Sequence, residues 1–296
     1  MANIIANGIQ IEYDTFGNPD EPPLLLIMGL ACQLIHWDED LCEQLARRGH
    51  YVIRFDNRDT GLSTKFAEAG IPDIGQIIEA RMKGEEFRPP YTLEDMADDA
   101  VGLLDALEIE KAHVCGMSMG GMIAQTIGLN HQQRVLSLIS IYSHTGNPEL
   151  PPPTPEALEY LVTPPPMERE ANITYTLDVW RTFSGKGFPL DEDWNRKIAA
   201  KAYDRAFYPE GVARQMAAVL TQKNRKFELG SVTMPTLVIH GADDPLVPVE
   251  GGKDTAEAIP GAELIIIDGM GHDLPHGGAW PQIVDAIVNH TQKIFI

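Results

Sequence analysis

Ser118 lies in Gly116-Met117-Ser118-Met119-Gly120, the glycine spacing of a nucleophile held on a sharp turn. Residues 113–115 before it read as a strand and residues 121–129 after it as a helix, so its hydroxyl would be exposed at the junction. Glycines suit such a turn because a Cβ at either position would clash with closely approaching backbone. The dipole and free N–H groups of the following helix would face an anion forming beside Ser118, which makes the Met119 amide a candidate oxyanion donor. A glycine-rich packing turn is the plain alternative.

A neutral hydroxyl is a weak nucleophile, so it needs a base within hydrogen-bond reach and a third group to orient that base. Residues 235–240 read as a strand ending in Gly241-Ala242-Asp243-Asp244-Pro245, and residues 264–268 as a strand ending in Gly269-Met270-Gly271-His272. In open α/β sheets, active groups gather outside the carboxyl ends of the strands, so Asp244 and His272 can converge on Ser118. Asp243 competes for the acid's role and is expected to be a solvated turn residue. His276, beyond Pro275, is expected to cap its loop or line the rim of the site. His272 and His276 also have the spacing of two metal ligands on one helical face, but Pro275 and the nearby glycines oppose a helix there. No metal is expected. His113 and His240, inside strands, are expected to be hydrogen-bonded core residues.

Several elements must bring these residues together. The nearly continuous apolar runs at 24–28, 51–55, 113–115, 135–142, 236–240 and 264–267 suit parallel strands buried on both faces. The opening differs, since Ile9, Ile11 and Tyr13 alternate with more polar neighbours after Asn7-Gly8, a hairpin signal. Residues 93–107 read as a helix capped by Thr92, with Met96, Val101, Leu104 and Leu107 at helical spacing. Strands alternating with helices imply a doubly wound α/β sheet. Residues 67–90 look like an added helical loop. A second insertion opens on Pro148, Pro151, Pro152, Pro153 and Pro155, then Pro164, Pro165 and Pro166, before helical segments around Trp180, Trp194 and Met216. It is expected to be a mainly helical cap over residues 146–230, set into a core of residues 1–145 and 231–296.

These segments resemble the α/β-hydrolase superfamily, in which nucleophile, acid and histidine follow in that order. The family's G-x-x-D turn matches residues 241–244 and its G-x-x-H turn residues 269–272. The resemblance implies a mostly parallel eight-stranded sheet flanked by helices. It also puts the second oxyanion donor after the first buried strand, where many members read His-Gly-x-x and this chain reads Met28-Gly29-Leu30-Ala31. The backbone amide of Leu30 can serve without the histidine. Trp37 is expected to be a packing anchor. Residues 56–63 resemble the family's D-x-R-G-x-G-x-S stretch, with Asp59 replacing a glycine. Together with Met28-Gly29, this is similar to aclacinomycin-methylesterase-like bacterial esterases, which remove a methyl ester from a polyketide. The resemblance thus implies a cofactor-free serine hydrolase cleaving small carboxylic esters through an acyl-enzyme, as a carboxylesterase or methylesterase. Serine at the nucleophile position weighs against haloalkane dehalogenases and epoxide hydrolases, which use a carboxylate there. Lactone hydrolysis, peracid formation and carbon–carbon bond hydrolysis need only the same three groups, and a low-turnover ligand receptor on this fold is the reading from another class. Tyr142 and His144, after a central strand, are expected to line the substrate pocket or to pack beneath the cap.

Composition sets the outer bounds. With 44% hydrophobic and 22% charged residues, a chain of 296 residues can bury a large core. A formal net charge of −20 repels phosphate backbones and anionic headgroups, so neither nucleic acid nor a membrane is an expected partner. Cys32, Cys42 and Cys115 form no disulfide or zinc spacing, which agrees with a reducing compartment. The opening residues have neither the basic nor the apolar region of a signal peptide, and the cytoplasm is the expected location. Oligomeric state leaves no mark in the sequence.

Overall fold

The computed structural model describes residues 1–295. Strands β1 (Ala2–Ala6) and β2 (Ile9–Phe16) form the opening hairpin, pairing Ala6 with Ile9. Asn7 and Gly8 turn it with φ of 48° and 77°, as a tight two-residue connection requires. Strands β3 (Pro23–Ile27), β4 (Tyr51–Phe55), β5 (Ala112–Met117), β6 (Val135–Ile141), β7 (Thr236–Gly241) and β8 (Glu263–Ile267) complete an eight-stranded sheet ordered β1-β2-β4-β3-β5-β6-β7-β8. Pairings from β4 through β8 are parallel, whereas β1 with β2 and β2 with β4 are antiparallel.

Helices α1 (Glu39–Arg47), α2 (Ile74–Lys83), α3 (Leu93–Ala106) and α4 (Met119–Asn130) lie before β6. Helices α5 (Pro155–Val162), α6 (Arg169–Phe183), α7 (Glu192–Ala206) and α8 (Pro209–Leu220) lie between β6 and β7, and α9 (Glu250–Ala258) and α10 (Trp280–Gln292) follow. The predicted cap on α3 is present: the Thr92 side chain accepts from Asp95 N, and Asp95 bonds back to Thr92 N. Helix α2 occupies the added loop after β4.

Successive strand residues point to opposite faces, which explains uninterrupted apolar runs. Leu25, Ile27, Ile53 and Val114 pack with Met96 and Leu104 of α3 and Ile123 of α4. Leu24, Leu26, Val52 and Cys115 face the other layer, with Leu41 of α1 and Ile283 and Ile287 of α10. Each such aliphatic side chain taken from water stabilises the fold by about 1.5–3 kcal/mol. Trp37 is fully buried in that second layer, a packing anchor as expected. The expectation fails at β8, where Leu264 and Ile266 are 37% and 39% exposed. This strand is the sheet's edge, and part of it faces solvent. Among the described residues no helix is long and apolar enough to cross a membrane.

Candidate active site

β5 ends at Met117 and α4 begins at Met119, leaving Ser118 at the bend with φ 54° and ψ −122°. A non-glycine residue held there stores about 1–3 kcal/mol of strain, and its neighbours must impose it. Ser118 N donates to Ile141 O at 2.9 Å, and Ser118 O accepts from the Ser143 hydroxyl at 2.8 Å. The flanking glycines are steric necessities: a Cβ on Gly116 would sit 2.0 Å from Gly120 O, and one on Gly120 2.1 Å from Ile27 O.

His272 Nε2 lies 2.9 Å from Ser118 Oγ, and its Nδ1 lies 2.8 Å from Asp244 Oδ2. A carboxylate facing Nδ1 assigns the neutral ring's proton to that nitrogen, so Nε2 offers a lone pair to the serine hydroxyl. Asp244 Oδ1 accepts the amides of Leu246 and Val247 at 2.9 and 2.8 Å. Burial pushes the Asp244 carboxyl up, but the charge of His272 and hydrogen bonds from His240 and His272 outweigh it and hold the group below the usual carboxylate range. The acid therefore stays ionised and fixed. Asp243 is exposed, and Lys186 N donates to its Oδ2 at 3.5 Å.

The His272 ring lies 4.5 Å from that of Tyr142 and 6.0 Å, edge-on, from that of Phe183, centre to centre. Tyr142 lines the cavity with its hydroxyl donated to Met117 Sδ at 2.8 Å, and burial raises that hydroxyl's pKa well above its usual value. His144 also lines the cavity. Its Nδ1 accepts from Gly146 N at 2.9 Å, and burial, aided by the Arg225 charge, pushes its pKa down to about 3. His276 is engaged separately from His272: Nδ1 meets Asp191 Oδ2 at 2.9 Å, and the ring stacks on Trp194 at 5.0 Å. His113 meets the Ser137 hydroxyl and His240 the Val247 carbonyl, each at 2.8 Å, inside the core.

Leu30 and Met119 line the same cavity as Ser118. Gly29 presses against the serine, since a Cβ on it would come within 3.2 Å of Ser118 Cβ. Among the described residues neither the Leu30 nor the Met119 amide has a protein acceptor, which leaves both free to meet an oxyanion. The cavity holds about 580 Å³ and takes much of its wall from Tyr160, Tyr175, Trp180, Trp194 and Met216 on α5 to α8.

Three further features escape sequence reading. First, Ala31, at φ 65°, donates its amide to Gln215 Oε1 at 3.1 Å, bracing the Met28 to Ala31 loop from α8. Second, Asp59 also has φ 65°, a left-handed conformation that favours glycine. Its carboxylate accepts from Arg214 Nε and Nη2 at 2.8 and 3.0 Å, from the Tyr91 hydroxyl at 2.8 Å and from Phe66 N at 2.8 Å. Third, Asp273, beside the histidine, is only 6% exposed; the Ser184 hydroxyl bonds its Oδ2 at 2.8 Å.

Burial pushes the Asp273 carboxyl from an ordinary 3.8 to about 6. Between those values the folded chain binds more proton than the unfolded chain, so this group's contribution falls as pH rises. Asp273→Asn, which cannot ionise, should raise the unfolding free energy at pH 7 by about 1–3 kcal/mol and flatten its dependence from pH 4.5 upward. Urea unfolding at pH 4.5 and pH 7 measures this; identical slopes for both proteins would contradict it.

A family model described as the alpha/beta hydrolase fold matches residues 22–279, and the chain belongs to that family. Rhodomycin D methylesterase DauP of Streptomyces sp. strain C5 is 31% identical over 309 residues, spanning 98% of this chain and 97% of its own. A 2-hydroxy-6-oxononadienedioate/2-hydroxy-6-oxononatrienedioate hydrolase of Cupriavidus pinatubonensis is 33% identical over 58% of this chain and 59% of its own. The solved esterase EaEST of Exiguobacterium antarcticum shares the fold, with a TM-score of 0.73, 20% identity and 98% of each chain covered.

Proposed function

We propose that this α/β hydrolase cleaves carboxylic esters by acyl transfer, with Ser118 as nucleophile, His272 as proton carrier and Asp244 as its orienting anion. The observation carrying the proposal is the continuous relay from Asp244 Oδ2 through the imidazole to Ser118 Oγ, with steps of 2.8 and 2.9 Å. His272 Nε2 takes the serine proton as Oγ attacks the ester carbonyl, and the Leu30 and Met119 amides receive the oxyanion. The bond to the alcohol oxygen then breaks, and the alcohol leaves with the proton from His272. Water, deprotonated by the same nitrogen, attacks the acyl-enzyme and restores the serine. Asp244 balances the imidazolium charge without taking its proton. These steps use the chain's own side chains and water.

Residues 146–230 act as a cap, and Tyr142 and His144 add to the pocket wall beneath it. A cavity of about 580 Å³ lies within the range that holds drug-sized ligands, and a short-chain acid would fill little of it. The aromatic wall favours a bulky, flat acyl group, and kinship to a methylesterase supports methanol as the leaving alcohol. The substrate is thus a methyl ester of a polycyclic or similarly large aromatic acid.

The test is a panel of p-nitrophenyl esters, aliphatic and aromatic methyl esters and lactones, together with mass spectrometry after treatment with a fluorophosphonate. Steady turnover of the aromatic methyl esters, with methanol released and the label on the Ser118 peptide, is the expected result. Labelling without turnover would instead favour a receptor, and a label elsewhere would remove Ser118 from the mechanism.

A further inference from the structure

We infer that Gln215 is a positioning residue for the oxyanion loop, so that the Leu30 amide faces Ser118 only while α8 is seated against the core. The inference rests on the acyl-transfer reading above, because it concerns the donor that reading assigns to Leu30.

Among the described residues two side chains hold the backbone from Met28 to Ala31, ahead of Gln33, whose own amide bonds Ala202 O and Ala206 O of α7. Asn57 Nδ2 donates to Met28 O at 2.9 Å, and Gln215 Oε1 accepts from Ala31 N at 3.1 Å. Between these anchors lies the peptide that carries the Leu30 N–H. Ala31 is at φ 65°, which alanine rarely adopts, so the turn needs a contact that selects it. Gln215 supplies that contact from a fully buried position. Both ends of its amide are engaged: Oε1 takes the Ala31 N–H, while Nε2 donates to Arg58 O at 2.8 Å and Thr60 Oγ1 at 2.6 Å. Rotating the amide by half a turn would set its N–H against the Ala31 N–H and its oxygen against Arg58 O, so the network allows one orientation.

One side chain thereby ties three pieces together: the loop after β3, the loop after β4, and α8. The loop has the apolar Met28 at its start and takes its brace at Ala31 from the insertion between β6 and β7. A ligand that lifts α8 can then occupy the cavity while the oxyanion donor is turned away. Binding and turnover become separable at this residue.

Gln215→Met keeps the side-chain length and removes all three hydrogen bonds; Gln215→Glu keeps an acceptor for Ala31 N but sets a charge against Arg58 O. For a p-nitrophenyl ester, the methionine variant should lose about 100-fold in kcat with KM little changed, as expected for a lost oxyanion donor. The glutamate variant should fall between it and wild type. Hydrogen exchange should quicken in the peptide spanning residues 28–33 of the methionine variant and stay unchanged across residues 113–118. A folded methionine variant with wild-type kcat, or with its loss confined to KM, would overturn the inference, as would unchanged exchange at residues 28–33. If the methionine variant does not fold, the glutamate variant decides by the same two readouts. If wild type itself turns over no ester, the acyl-transfer reading fails, and the exchange comparison still reports whether Gln215 fixes the loop.

Discussion

Ser118→Ala is expected to lower kcat by about 10⁶-fold, and Asp244→Asn by about 10⁴-fold, with KM little changed in either variant. The two losses arise differently. Alanine removes the atom that bonds to the acyl group, leaving only what the oxyanion donors and the pocket contribute. Asparagine keeps the shape of Asp244, and its oxygen would remain with the Leu246 and Val247 amides that now hold Oδ1 at 2.9 and 2.8 Å. Its NH₂ must then face His272 Nδ1, where a carboxylate oxygen now sits 2.8 Å away. Two donors cannot share that contact, so the imidazole would shift its proton to Nε2 and could no longer accept one from Ser118. Asp243→Asn is the matched control and should turn over as wild type does, because that side chain is exposed and outside the relay. Steady-state rates on one ester, at equal concentrations of folded protein, give all three numbers. Loss of activity in Asp243→Asn with Asp244→Asn intact would reverse the assignment.

The relay was legible because each of its members sits in a short turn with its own local signature. Glycines around Ser118, the acid pair after Gly241 and the glycines before His272 each mark the end of a buried strand, and parallel strands bring such ends to one edge. The hairpin at Asn7-Gly8 and the Thr92 cap were legible for the same reason, since a few adjacent residues decide them. Gln215 and Arg214 were not. Asp59, which Arg214 pairs, lies 155 positions away and Ala31, which Gln215 braces, 184, and nothing in residues 214 and 215 distinguishes a buried brace from an exposed helical pair. Asp59 did stand out as a residue where a glycine belongs, but its conformation and its partner are properties of the packed structure. The exposure of Leu264 and Ile266 escaped because an apolar run looks alike in a central strand and at an edge.

Arg214→Met and Asp59→Gly are each expected to reduce the unfolding free energy by about 3–5 kcal/mol, while the two together lose less than either alone. The Arg214 and Asp59 side chains are 1% and 0% exposed, so either charge left by itself has no water to turn to. Arg214→Met would leave the Asp59 carboxylate with the Tyr91 hydroxyl and Phe66 N, two neutral donors. Asp59→Gly relaxes the backbone at φ 65° but strands a guanidinium whose other partners are Gly70 O and the Tyr208 hydroxyl, at 2.7 and 2.8 Å. In the double variant neither of these two buried charges remains, glycine suits the left-handed turn, and methionine fills much of the arginine's apolar space. Denaturant unfolding of the four proteins completes the cycle, and losses that simply add would show that the pair is not the unit of stability. The same cycle bears on turnover, because α8 carries Arg214 beside Gln215. At temperatures where Arg214→Met stays folded, faster proteolysis within residues 209–220 should accompany a fall in kcat, since a helix that no longer seats cannot hold the Ala31 turn.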